Sequence, residues 1–347
     1  MSQEVWQALE IPPYFKMTEV DLAGPFAEES SAIRFTPLIH QQIIKVEGKD
    51  ALSFLQGQLS CDLRDVVKEG SRLGSHCNIK GHMISLFRVM AFNDECFWLR
   101  THHSLADKAL AQLKKYIIFS KASAMLADDL YGLGIQGEKA VNCLAEILCV
   151  ESKAIPTQAS HSLTGDSWIL TCVRNDRFEL WIKPSELTPM LNKLNSQGTL
   201  IPSEQWILAE IRDGIADLRP ETSEAFIPQM TNLQVFEGIN FRKGCYTGQE
   251  IITRLQHRGV LKRPMYRISA KLAEAPLPGS LIHCDDKEGV GQVVLAAKTE
   301  ILDHYEMLAV ILKERAEQDG LWLGNHEPIQ VLDLPYTLDP KLFESKR

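Results

Sequence analysis

The order in which the apolar pattern changes between Gln42 and Leu194 limits this chain to few folds. From Asp129 it runs strand (Leu130 to Ile135), helix (Glu138 to Leu148), two strands set off by the Gly165-Asp166 and Asn175-Asp176 turns, and a helix from Ser185 to Leu194. Strand–helix–strand–strand–helix is the order of a ferredoxin-like unit. An earlier stretch has a related order. Gln42 to Val46 alternates as a strand, Gly48 turns the chain, and Asp50 caps a helix to about Leu59 whose Leu52, Leu55 and Leu59 share a face. Ser71 to Ile79 and His82 to Phe92 make a hairpin pattern about Lys80-Gly81, and Cys96 to Arg100 adds a strand. Ser104 opens a helix lined by Ala106, Leu110, Leu113 and Ile117.

After Gly259 the pattern changes. Leu261 to Leu272, Ser280 to Cys284, Val290 to Ala297, Tyr305 to Leu312 and Pro328 to Leu332 are short strands between turns such as Pro278-Gly279, the spacing of a small β-barrel. The expected fold class is therefore α+β: two ferredoxin-like α+β domains followed by a small C-terminal β-barrel. The expected domains are 34–128, to which 205–260 returns, then 129–204 and 261–340. Between the helix Gln205 to Arg212 and the barrel, Pro220 to Asn232 is rich in Pro, Thr and Asn, the composition of a loop that builds a site.

With 45% hydrophobic residues in 347, the chain has enough apolar content for real cores. No apolar run reaches membrane-span length, and Met1 to Pro13, with Glu4 and Glu10, lacks the pattern of a secretory signal. The expected compartment is the cytoplasm, with no membrane partner. The eight cysteines include no Cys-x-x-Cys pair and no zinc-like grouping with histidine, so neither a disulfide framework nor a metal site is expected.

One stretch departs from the acidic balance of the chain, whose formal charge is -8. From Ile239 to Arg263 there are six Lys or Arg against one acid, Glu250, and Cys245 lies between Gly244 and Gly248 at the start of a helix-like run. Arg242, Lys243 and a helix N-terminus each favour thiolate over thiol, which makes Cys245 the candidate functional thiol and this stretch the candidate anion site. A glycine-flanked cysteine is also simply a small residue at a tight turn, and a basic stretch also a solvated face.

Lys243-Gly244-Cys245-Tyr246-Thr247-Gly248-Gln249-Glu250, preceded by Phe226-Ile227-Pro228-Gln229 and Thr231-Asn232-Leu233, resembles the motif block of the YgfZ family, within the superfamily of the glycine-cleavage T-protein. Gln56-Gly57-Gln58, Lys80-Gly81, Lys114-Lys115-Tyr116 and Gln205-Trp206 extend the resemblance over roughly residues 34 to 335. It implies a ring-like arrangement of three domains holding tetrahydrofolate or a related folate. It also implies an accessory role in the assembly or repair of iron–sulfur enzymes, including those that thiomethylate tRNA. On that reading the partners are folate and iron–sulfur enzymes or their assembly factors. Cys245 is the functional thiol, as redox group, cluster ligand or nucleophile. Trp206, Asn232, Tyr246, Gln249, Glu250, Arg254 and Arg258 are the folate contacts, with Trp206 as aromatic face and Arg254 or Arg258 as counter-charge.

Two departures from the family pattern bear on mechanism. Gln41 stands near a family aromatic, and Ser85 and Leu86 occupy the place of the aspartate with which T-proteins polarise the folate nitrogen. Neither ionises usefully, so T-protein-type aminomethyl transfer is not expected; the alternative is an aminomethyltransferase-like or demethylating enzyme with another catalytic group. A pI near 5.7 and one short basic stretch argue against tight, direct nucleic-acid binding.

Overall fold

A computed structural model describes residues 3–344. The chain sorts into two compact units. The first comprises the chain up to Leu52 with Leu63–Arg72 and Arg88–Trp206; the second comprises Ser53–Asp62, Leu73–Phe87 and the chain from Ile207 onward.

The first unit contains a six-stranded sheet in the order Ser162–Thr164, Trp168–Arg174, Arg177–Ile182, Tyr131–Gln136, Arg34–Pro37 and Thr199–Leu200. Its strands are antiparallel except the last pair, Thr199–Leu200 with Arg34–Pro37. Because side chains alternate along a strand, Phe178 and Leu180 face the core that also buries Leu144, Leu148, Leu187, Leu191 and Leu194 from the helices Ala140–Leu148 and Pro184–Gln197. Burial there pushes the Cys143 and Cys172 thiols up to about 11, so both act as small apolar residues. In the same unit a second sheet pairs residues 88–93 with Cys96–His102, which pairs with Gln41–Glu47, which pairs with Ser123–Leu126, all antiparallel; residues 73–77 and 83–87 belong to the second unit. The helix His103–Ile117 buries Leu105, Ala106, Ala109, Leu113 and Ile117.

The second unit holds a closed six-stranded barrel: Met265–Lys271, His304–Ile311, Lys287–Lys298, Leu281–Cys284, Leu321–Leu323 and Glu327–Leu332, the last pairing with the first. Ile268, Ile282, Val293, Met307, Ala309 and Ile311 fill it. The α+β content and the barrel agree with the sequence pattern. Three details do not follow from it. Arg34–Pro37, expected with the first α+β block, pairs with Tyr131–Gln136 of the other sheet. Leu321–Leu323, three residues long, supplies the sixth barrel strand. Leu63–Glu69 is a further short helix.

Between the helix Ser203–Arg212 and the barrel the chain makes only short 3-10 turns, Pro220–Thr222, Pro228–Thr231 and Leu233–Phe236, before the helix Gln249–Arg258. Among the described residues, no helix is long and apolar enough to cross a membrane.

Candidate functional site

The loop carrying Cys245 is fixed by buried polar side chains rather than by regular structure. Ser60 Oγ donates to the Gly238 carbonyl (2.6 Å) and accepts from the Ser75 N–H (2.9 Å), and the Asn240 N–H donates to the Ser60 carbonyl (2.9 Å). Asn240 Oδ1 accepts from the N–H groups of Arg242 (2.8 Å) and Lys243 (3.0 Å), an Asx turn that sets up the motif. Its amide nitrogen donates to the Asp62 carboxylate at 3.3 Å, whose other oxygen accepts from Gln56 Nε2 at 3.0 Å.

Lys243 is 6% exposed. Its ammonium donates to the carbonyls of Leu59 (2.7 Å) and Cys61 (2.6 Å) and lies 5.1 Å from the centre of the Tyr246 ring. The charge that the sequence places beside the sulfur is therefore engaged as an internal strut. Tyr246 is buried too, and its hydroxyl has no hydrogen-bond partner. Burial, with repulsion from the thiols of Cys77 and Cys61, pushes its phenol well above the usual range. Cys77 is itself raised to about 12 by burial, against a weaker opposing contact with Ser75 (3.4 Å).

Cys245 is exposed between these buried neighbours, and a Cβ added at Gly244 would meet nothing within 4 Å. Gly248 closes the loop. Its φ of +83° suits glycine, and a Cβ there would lie 2.5 Å from the Asn78 carbonyl oxygen in the hairpin turn. The Thr247 N–H donates to the Gly57 carbonyl (3.3 Å), fixing the loop on its other side. Gly248 N-caps the helix Gln249–Arg258, which is anchored by the fully buried Ile252. Gln229 Nε2 donates to the Ile252 carbonyl at 2.7 Å, tying the upstream loop to the same helix. The result is an accessible thiol on a rigid loop. Among the described residues, no group of three or more His, Cys, Asp or Glu could hold a metal ion.

The chain as a whole has known relatives. The chain is 31% identical over 301 residues to the tRNA-modifying protein YgfZ of Klebsiella pneumoniae (strain 342), covering 85% of this chain and 90% of that protein. This chain belongs to the YgfZ family. The tRNA-modifying protein YgfZ of Aliivibrio fischeri (strain MJ11) is likewise 31% identical over 301 residues, covering 86% of this chain and 90% of the relative. Residues 7–201 match the family model for the GCVT N-terminal domain. The fold is shared with the glycine cleavage system aminomethyltransferase T of Bartonella henselae, at a TM-score of 0.75 and 14% identity over 96% of this chain and 95% of that one.

Of the residues that the YgfZ resemblance singled out, Asn232, Tyr246, Gln249, Glu250, Arg254 and Arg258 lie with Cys245 in the second unit, and Trp206 in the first. Glu250, Arg254 and Arg258 are exposed and four residues apart, so they line one face of their helix. Gln249 is half-buried beside Tyr246, its N–H donating to the Tyr246 carbonyl at 3.2 Å. Asn232, fully buried at φ 56°, works as a clamp: its amide donates to the Met265 carbonyl (2.9 Å) and the Tyr336 hydroxyl (3.3 Å) and accepts from the Met265 N–H (3.4 Å).

Trp206 is 1% exposed. Its ring rests on Gly134, where a Cβ would come within 2.7 Å, and the Arg177 guanidinium carbon stands 4.6 Å from its centre. It offers no open face for stacking while Arg177 keeps that place. Ser85 is fully buried and its hydroxyl has no hydrogen-bond partner. Gln41, near the family aromatic, is 2% exposed. The strut role of Lys243, and the parts played by Asn240 and Tyr336, do not follow from the sequence pattern. Asn two residues before a cationic pair is the one signal that pointed to the Asx turn; Tyr336 carried none.

Proposed function

We propose that this protein is a folate-binding accessory factor for iron–sulfur enzymes that act in tRNA modification, with the Cys245 thiol as its working group. The observation that carries the reading is the exposed sulfur of Cys245 on a loop pinned by Lys243, Asn240 and Gly248, within the motif block of a family whose curated relatives are named tRNA-modifying proteins. An accessible thiol on a rigid loop suits transient ligation, thiol exchange or nucleophilic attack; the buried thiols of Cys77, Cys143 and Cys172 do not. The aminomethyltransferase-like fold supports tetrahydrofolate as the ligand class, with Arg254 and Arg258 as counter-charges for its carboxylates and Tyr246, Gln249 and Glu250 beside the thiol. Ser85, in the T-protein aspartate position, supplies no carboxylate, which favours an accessory role over aminomethyl transfer. The cytoplasm is the expected compartment.

Two measurements test this. Cys245→Ser should leave a folded protein that no longer restores iron–sulfur tRNA-thiomethylating activity in cells lacking the wild-type chain; full restoration removes the thiol from the mechanism. Equilibrium dialysis against tetrahydrofolate should show saturable binding that weakens in Arg254→Glu/Arg258→Glu. Robust formation of methylenetetrahydrofolate from an aminomethyl donor would instead favour the transferase reading.

A further inference from the structure

Lys262 and Arg263, the last cations of the basic stretch, take no part in the Cys245 loop. They line a cavity of about 460 Å³ at one side of the barrel, together with Lys287, Lys313 and Phe343. That volume falls within the ~300–1,000 Å³ of small-molecule sites. The walls are tied together by the main chain: the Leu261 N–H donates to the Leu342 carbonyl (2.8 Å), the Lys313 N–H to the Lys262 carbonyl (2.9 Å), and the Leu312 N–H to the Val290 carbonyl (2.9 Å). The cavity is thus walled by segments that are remote in sequence and joined by main-chain hydrogen bonds.

Its charge is unusual for an acidic chain. Two carboxylates, Glu314 and Glu317, also line it, and Lys313 pairs with Glu317 while standing 5.3 Å from the centre of the Phe343 ring. Among the described residues, Lys262, Arg263 and Lys287 form no salt bridge. Set against Glu314, which likewise forms no salt bridge among the described residues, these three cations leave the depression a net positive charge. Such a site attracts a doubly charged phosphate more than a single carboxylate, because the attraction scales with ligand charge. Unlike Trp206, the Phe343 ring in the same wall is only half-buried, so beyond the side that Lys313 approaches it keeps accessible surface for a planar group.

We propose that this cavity binds a nucleotide: a planar ring carrying phosphate, with Lys262, Arg263 and Lys287 serving the phosphate and Phe343 the ring. The source is either a free mononucleotide or the terminal nucleotide of an RNA chain, which share that chemistry. The assignment is independent of the role of Cys245 and uses none of its loop.

Calorimetric titration of the full chain with AMP, adenosine and inorganic pyrophosphate tests it. AMP should bind saturably, adenosine roughly tenfold or more weakly, and added salt should weaken AMP binding. Lys262→Glu/Lys287→Glu should lower AMP affinity by about tenfold or more at an unchanged melting temperature. Phe343→Ala should weaken AMP but not pyrophosphate. A short oligoribonucleotide with a 5′-phosphate that displaces AMP identifies an RNA end as the source; failure to displace identifies the free nucleotide. Absence of saturable AMP binding at millimolar concentration, equal affinity for adenosine, or AMP affinity indifferent to the double charge reversal would each overturn the proposal.

Discussion

Within four residues the motif gives neighbouring side chains opposite environments, with Lys243 and Tyr246 buried and Gly244 and Cys245 in solvent. Exposure of the sulfur therefore depends on the strut beside it. Lys243→Met removes the ammonium that donates to both the Leu59 and Cys61 carbonyls and should destabilise the protein by roughly 2–6 kcal/mol in denaturant titration, since each buried acceptor left unpaired costs about 1–3 kcal/mol. Cys245→Ser touches none of this and should change stability by less than about 0.5 kcal/mol. In thiol labelling of the native protein, Cys245 and Cys149 are the exposed cysteines and should react first; Cys149→Ser leaves Cys245 as the fast site. His76 adds a pH signature. Burial lowers it from the ordinary 6.5 to about 4, so between those values the unfolded chain binds more protons than the native one. Its contribution is intact above pH 6.5 and is lost as pH falls towards 4, by roughly 3 kcal/mol; His76→Gln should flatten that part of the stability profile.

At the level of elements, period-two alternation revealed the long strands and the barrel because one face of each is buried and a one-residue slip would invert it. Arg34–Pro37 and Leu321–Leu323 are too short to show a period, and distant partners decide them. The site divides the same way. Cys245 and Tyr246 were legible as motif residues, whereas a lysine in a basic stretch gives no sign that it will turn inward to carbonyls 184 and 182 residues away. The family resemblance puts Trp206 against a ligand, whereas in the structure Gly134 on the facing strand and Arg177 above it fix its place. Nearby, Glu179 sits 3.2 Å from Arg100 and 3.4 Å from Arg88. Burial opposes its ionisation, yet Arg100, Arg88 and the Trp181 indole outweigh burial and hold its carboxyl below the usual range. Glu179→Gln should cost about 3–5 kcal/mol in chemical denaturation, because it withdraws the carboxylate those guanidinia share. In the thiol loop, Gly248→Ala introduces both a disfavoured φ and a contact with Asn78, and should lower stability by about 1–3 kcal/mol.

Across the molecule, the backbone crosses between the two units five times, after residues 52, 62, 72, 87 and 206. A fragment spanning 207–347 lacks Ser53–Asp62 and Leu73–Phe87, and with them the carbonyls that Lys243 grips and the turn against which Gly248 packs. Expressed alone, it should give no dispersed amide spectrum around Cys245, even where the barrel retains its strands; a native-like loop in the fragment would contradict the assignment of those segments to this unit. The barrel is tied to the upstream stretch as well, since Asn232 is held by Met265 and by the Tyr336 hydroxyl, which itself donates to the Gly214 carbonyl at 2.9 Å. During synthesis, residues 53–62 and 73–87 leave the ribosome long before anything they will enclose. They wait until the helix Gln249–Arg258 has been made before the Cys245 sulfur has its surroundings. A nascent chain stalled before Ile252 therefore presents no assembled centre.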